Sequence, residues 1–171
     1  MRIGLLSDTH GYLDDRILHH LRDCDQIWHA GDIGDESVLD QLAAVAPLRA
    51  VWGNIDSRPV RQRCHETQLF TLNGLRVLMI HIGGYPGRYS QGVRSLLQRE
   101  RPGLFICGHS HILRVMPDRQ LGLLHLNPGA AGRHGFHTVR TLLKFEVEAG
   151  KVTNMQAVEL GPRSSKEEPA L

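Results

Sequence analysis

The sequence predicts a mixed α/β fold, two β-sheets with helices outside them, and three observations carry that expectation. Residues 2–52 alternate short apolar runs with helix-patterned segments in the order βαβαβ, which implies a parallel sheet with right-handed crossovers. Asn73-Gly74 between two apolar stretches is the strongest short hairpin signal and starts antiparallel pairing. Beyond Leu113 short strands dominate, so the first half reads as βαβ-like and the second as mostly antiparallel.

Taken in order, residues 2–7 form an apolar run bounded by polar and Gly residues, a buried strand. Residues 14–22 read as a helix capped by Asp14, with Ile17, Leu18 and Leu21 as its inner face. Gln26 to Ala30, Glu36 to Val45 and Leu48 to Trp52 follow as strand, helix and strand. Thr67 to Leu72 and Leu75 to Ile82 are the hairpin arms. Ser90 to Arg99 is a helix, with Val93, Leu96 and Leu97 apolar at i, i+3 and i+4; Pro102-Gly103 ends it before strand Leu104 to Cys107. Strands at about 113–117, 121–126, 139–148 and 151–160 complete the pattern.

The 171 residues suit one domain, 1–161, and the polar, Pro-containing tail 162–171 is expected to be disordered. A formal charge of +2 and a pI near 8.6, with no Lys/Arg stripe, argue against nucleic acid as a partner. Cys24, Cys64 and Cys107 are odd in number and lack C-x-x-C spacing, so neither a disulfide framework nor a zinc knuckle is expected, and a reducing cytoplasm is the simplest setting. No leader-like h-region and no run of 18 apolar residues occurs, so no membrane is expected either. Homo-oligomerisation stays open.

Eleven histidines in so short a chain direct attention to metal. Ligand-type residues follow the ends of five predicted strands: Asp8 and His10, Asp32, Asn54, His81, and His109 with His111. Loops at the carboxyl ends of strands in an open α/β sheet converge on one crevice, so these side chains can meet. Carboxylate, amide and imidazole together suit borderline divalent ions, with no thiolate to favour a soft metal. In an extended or tight-turn segment alternate residues point the same way, so Asp8-x-His10 and His109-x-His111 would each offer two ligands to one cleft. Gly11, Gly31, Gly53 and Gly108 allow positive φ or close approach. Asp32 is the expected bridge between two ions, since a carboxylate reaches both where an imidazole does not.

In that order, Asp8-x-His10, Gly31-Asp32, Gly53-Asn54, His81 and Gly108-His109-x-His111 resemble the calcineurin-like metallophosphoesterase signature, and the chain looks like the YfcE-like phosphodiesterase branch, over roughly residues 1–160. The resemblance implies a four-layer αββα sandwich of two mixed sheets. It also implies two divalent ions, manganese first, with Ni, Fe, Zn, Co or Mg as alternatives. Asp8, His10, Asp32 and His111 would hold one ion, and Asp32, Asn54, His81 and His109 the other, with Asp32, Asn54 and His81 counted as catalytic too. Two positions depart from the wider family pattern: Ile55 replaces a histidine taken to protonate the leaving group, and His81-Ile82-Gly83 replaces His-Gly-His.

The expected function is phosphoester hydrolysis, most of all of diesters, in which two metals share a water, lower its pKa toward about 7 and present hydroxide for in-line attack on phosphorus. The partner is then a small phosphate ester. With no histidine at position 55, a poor leaving group would have to be assisted by metal, by water or by another residue such as His134 or His137. Arg88, Arg133 and His134 are the substrate-contact candidates, the arginines because guanidinium forks match phosphate oxygens. His19, His20, His65 and His125 read as structural or solvated, His29 and Asp56 as ligand supports or packing, and Cys107 as core. The alternative is a non-catalytic binding scaffold on the same fold.

Overall fold

The computed structural model describes residues 1–164. Strands β1 (Arg2–Leu6), β2 (Gln26–His29) and β3 (Leu48–Ala50) pair in parallel, joined by helices α1 (Asp15–Leu21) and α2 (Glu36–Val45). Both helices start at aspartate caps: the Asp14 carboxylate accepts from the Ile17 amide, and that of Asp35 from the Ser37 amide. Their buried faces, including Ile17, Leu21, Val38 and Leu42, close over Leu6 and Ile27.

Two elements escape the sequence pattern. One is the short helix α3 (Arg58–Arg63), whose buried residue is Val60. The other is a hairpin of two-residue strands, β6 (Gly84–Tyr85) and β7 (Arg88–Tyr89). The Asn73-Gly74 hairpin forms between β4 (Thr67–Leu72) and β5 (Leu75–Ile80), with φ of 45° and 82° at the two turn residues, as a type I′ turn requires.

The second sheet has the order β4-β5-β8-β10-β9, with β8 (Leu104–Ile106), β9 (Leu113–Asp118) and β10 (Leu123–Pro128). Its central strands β5, β8 and β10 run parallel, a parallel centre inside a second half whose other pairings, β4–β5, β6–β7, β9–β10 and that within the last hairpin, are antiparallel as its short strands suggested. Helix α4 (Val93–Glu100) is the crossover from β5 to β8 and covers Leu78, Phe105 and Cys107 on the sheet's outer face. The last hairpin, β11 (Val139–Glu148) and β12 (Lys151–Pro162), leaves the second sheet and pairs β11 antiparallel to β1. The two sheets share a core between them, Ile3, Leu5 and Trp28 against Met79, Ile106 and Leu126, which completes the αββα layering.

Order continues beyond the expected domain end at 161, since Pro162 lies in β12 opposite Val139 and the Arg163 amide donates to the Thr138 carbonyl. The rest of the expected disordered tail, from residue 165, lies outside the described residues. No helix among the described residues is long and apolar enough to cross a membrane.

Two buried histidines make the fold sensitive to acid. Burial pushes His29 and His125 down from 6.5 to about 4, aided at His125 by the Arg114 charge. Between pH 6.5 and about 4 the unfolded chain therefore binds more protons, and stability that is full above this window is lost as the pH falls through it. His125→Leu removes an imidazole with neither ring nitrogen partnered. In urea unfolding it should recover up to ~3 kcal/mol of the acid loss by pH 4. A pH profile identical to that of the parent chain would contradict a neutral buried His125.

Candidate metal centre

The parallel strands of both sheets deliver the candidate ligands at their carboxyl ends. Asp8 and His10 follow β1, Asp32 follows β2, Asn54 follows β3, His81 follows β5, and His109 and His111 follow β8. Asp8 Oδ1 lies 3.1 Å from His111 Nε2, 3.9 Å from His81 Nε2 and 4.0 Å from His10 Nε2. Asp32 spans the group: Oδ2 is 3.6 Å from His10 Nε2, and Oδ1 is 3.2 Å from His81 Nε2. His109 Nδ1 is 3.1 Å from Asn54 Oδ1. The ligand atoms fall into two sets, Asp8–His10–His111 and Asp32–His81–His109, each within 4.8 Å.

These atoms fit cations. Asp8 Oδ1, His10 Nε2 and His81 Nε2 are buried without a hydrogen-bond partner, although leaving such groups unmade costs roughly 1–3 kcal/mol each. The far sides are satisfied. Asp8 Oδ2 accepts from Ser7 Oγ at 2.6 Å and from the His109 amide at 3.1 Å, while the 2.8 Å contact of His81 Nδ1 with the Ala30 carbonyl places the proton on Nδ1 and turns the Nε2 lone pair inward. His81 Nε2 stands at 3.2 Å from Asp32 Oδ1 but off the line of a hydrogen bond, as two ligands of one ion do. Burial lowers His81, yet the Asp32 and Asp8 carboxylates outweigh it and leave the imidazole raised; at His10 burial prevails and lowers it. Burial would raise Asp32, but His81 and the Ile55 amide hold it below the usual carboxylate range.

The backbone that presents the ligands is left-handed. Asp8, His10, Asp32, His109 and His111 have φ between 47° and 68°, a region that non-glycine residues visit at a cost of about 1–3 kcal/mol. The two x-spaced pairs thus converge through left-handed turns and not through the alternation of an extended segment. Beside the carboxylates, Gly53 and Gly108 leave no room for a side chain. A Cβ on Gly53 would stand 2.1 Å from Asp32 Oδ1, and one on Gly108 would stand 2.1 Å from Ser7 Oγ and 2.8 Å from Asp8 Oδ2.

Buried polar clasps hold the turns. The Asp56 carboxylate accepts from the Ile33, Gly34 and Gly53 amides at 2.7–3.1 Å, tying the β2 loop to the β3 loop. His29 Nδ1 accepts from the Gly31 amide, and its Nε2 donates to Thr9 Oγ1, whose own proton goes to the Ile33 carbonyl. His29 therefore ties the β1 loop to the β2 loop without touching a ligand.

The ligands floor a cleft of about 470 Å³ that His134 and His137 also line, with Ile55, Ile112 and Phe136 at its rim. The ring of His134 lies 4.8 Å from that of His10, and His137 lies 5.2 Å from His111. Neither candidate arginine lines the cleft: Arg133 stacks on Tyr12 at 4.6 Å, and Arg88 sits exposed in β7. Gly83 abuts β8, where a Cβ would stand 2.6 Å from Phe105 Cζ, so the chain has no space there for a second histidine. No sequence signal singles out Ser7, which orients Asp8, or Arg114, which lines a cavity beside the cleft.

Residues 1–150 match the family model of the calcineurin-like phosphoesterase superfamily domain. A probable metallophosphoesterase of Methanothermobacter thermautotrophicus is 33% identical over 137 residues, 76% of this chain and 77% of that protein. Another, from Methanocaldococcus jannaschii, is 30% identical over 136 residues, 76% of this chain and 68% of that protein. Among solved structures, a single mutant of Vps29 from Entamoeba histolytica has the same fold, with a TM-score of 0.73 at 19% identity over 93% of this chain and 99% of that one.

Gly108→Ala should push on both Asp8 and its Ser7 support. Calorimetric titration of metal-stripped protein with Mn(II) should show binding weakened at least about tenfold, the scale on which ligand supports act. Gly122→Ala, where no atom lies within 4 Å of the new Cβ, serves as the control. Equal affinity in the parent chain and Gly108→Ala would contradict the geometry.

Proposed function

Because the chain belongs to the calcineurin-like phosphoesterase superfamily, we propose that it is a metal-dependent phosphodiesterase acting on small phosphate diesters in the cytoplasm. The observation that carries this is Asp32, one carboxylate that stands 3.6 Å from His10 Nε2 of one ligand set and 3.2 Å from His81 Nε2 of the other. Asp8, His10 and His111 would hold one divalent ion, His81, His109 and Asn54 the other, with Asp32 between. Manganese is the first candidate. Bound there, the ions supply an activated water and offset charge on the phosphoryl oxygens. The remaining tasks belong to the chain's own residues. Ser7 and the His109 amide orient Asp8, and the Ala30 carbonyl keeps the His81 proton on Nδ1.

Two features favour a diester. Among the described residues no Lys or Arg lines the cleft, which suits the single negative charge of a diester better than the dianion of a monoester. The exposed apolar rim of Ile55, Ile112 and Phe136 offers a surface to an ester arm. With Ile55 where many members carry an acid, His134, which lines the cleft with its ring 4.8 Å from that of His10, is the candidate to protonate the leaving oxygen. The full ligand set supports chemistry over a scaffold role, and the free cysteines suit a reducing compartment.

The test is turnover by metal-stripped protein reloaded with Mn, Ni, Mg or Zn on bis-p-nitrophenyl phosphate and p-nitrophenyl phosphate. Metal-restored hydrolysis, faster on the diester and abolished by Asp32→Ala and His81→Ala, is expected; no turnover with any metal would favour the scaffold. His134→Gln should lower hydrolysis of an alkyl diester at least about tenfold, and that of the nitrophenyl diester, whose leaving group needs little protonation, by no more than about threefold. Equal losses would remove His134 from the acid role.

A further inference from the structure

A second cavity of about 140 Å³ adjoins the cleft and shares His109 and Ser110 with it. It lies on the outer face of the second sheet, over His125 and Asn127 of β10, with Arg114 opposite Asn127 on β9 and Tyr85 of the β6–β7 hairpin alongside. Most polar groups around it are already engaged. Asn127 donates to the Gly108 carbonyl and Ser110 Oγ and accepts from the Gly129 amide. The nearby Asp118 carboxylate accepts from Tyr89 and from the Gln120 and Leu121 amides.

Besides the Tyr85 and Ser90 hydroxyls, three donors matter most. Arg114 stacks 3.7 Å above the Tyr85 ring and forms no ion pair among the described residues. Ser110 Oγ accepts from Asn127 Nδ2 and from the Ile112 amide, which leaves its own proton to give. His125 is fully buried with both ring nitrogens unpartnered. One fixed positive charge, one hydroxyl proton and one imidazole N–H thus border the same space, and no carboxylate lines it. At ~30 Å³ per water the volume equals four or five waters, room for a compact oxyanion but not for a nucleoside.

We propose that this cavity is a subsite for a compact oxyanion at the end of one ester arm of the substrate, with Arg114 opposing its charge and Ser110 and His125 donating to its oxygens. The proposal rests on the phosphodiesterase reading and narrows it to diesters that carry a second anionic group. It also separates two tasks: the cleft receives the scissile phosphate, and the cavity beyond His109 and Ser110 selects the arm.

The test uses three p-nitrophenyl alkyl phosphodiesters that end in a carboxylate, a phosphonate or a neutral carboxamide. The manganese-loaded full chain should show kcat/KM roughly tenfold or more higher for an ester with an anionic end than for the carboxamide, with the ratio falling to about one in Arg114→Gln. The preferred anion identifies the oxyanion. Equal turnover of all three esters, or a preference that survives Arg114→Gln, overturns the subsite. If no ester is hydrolysed, the phosphodiesterase reading fails and the subsite is tested alone by titrating the full chain with inorganic sulfate. The ring ¹⁵N resonances of His125, assigned by their loss in His125→Leu, should then shift saturably in the parent chain and not in Arg114→Gln; no shift in the parent chain overturns the proposal.

Discussion

Asp8 and Asp32 are both buried, and each faces imidazole nitrogens that have no hydrogen-bond partner. Removing carboxylates from water is costly unless they are paired or coordinate a metal. The structure meets part of that cost with hydrogen bonds to the outer side of Asp8, from Ser7 and the His109 amide, and to Asp32 from the Ile55 amide. The inner side is left to whatever occupies the space between the ligands. Much of the architecture serves this arrangement, because two sheets must bring the carboxyl ends of their parallel strands to one seam.

That requirement explains where strain is stored. Five candidate ligands have left-handed backbone, and such conformations persist only where their surroundings over-determine them. Here the clasps do so: Asp56 gathers three amides from two loops, and His29 and Thr9 join a third. Arg140, also buried, donates to Asp14, to the Ala131 carbonyl and to the Leu160 carbonyl, fixing the start of α1 against the segment that leads into His134. Most of these groups lie outside the cleft, yet they decide where the ligands point.

Much of this was legible in the sequence because the signals are local. Most candidate ligands follow an apolar run and a glycine or short polar turn, His81 follows its run directly, and the caps of α1 and α2 are aspartates that precede an apolar period. Where information is nonlocal, the sequence is silent: nothing near Val139 says that β11 will lie against Arg2 to Leu5. Helix α3 carries a single buried residue, Val60, too little to set a period, and β6 and β7 are too short to alternate. Arg88 and Arg133 have the right chemistry for phosphate but lie off the cleft, whereas Arg114 sits in a strand whose alternation looks solvent-facing until the β6–β7 hairpin covers it. The x-spaced pairs come together through the tight-turn alternative and not the extended one, since left-handed turns and extended alternation can leave the same spacing in sequence.

The buried carboxylates should make folding and metal binding one equilibrium, because a cation that binds only the native chain stabilises it by mass action. The most direct measurement is urea unfolding of metal-stripped protein with and without Mn(II) at about 100 times its dissociation constant. A centre that holds two ions predicts stabilisation of about 2.7 kcal/mol per ion, with much of it lost in Asp32→Ala. Unfolding curves that coincide with and without Mn(II), and equally with Zn(II) or Ni(II), would contradict the claim that these residues form a metal centre.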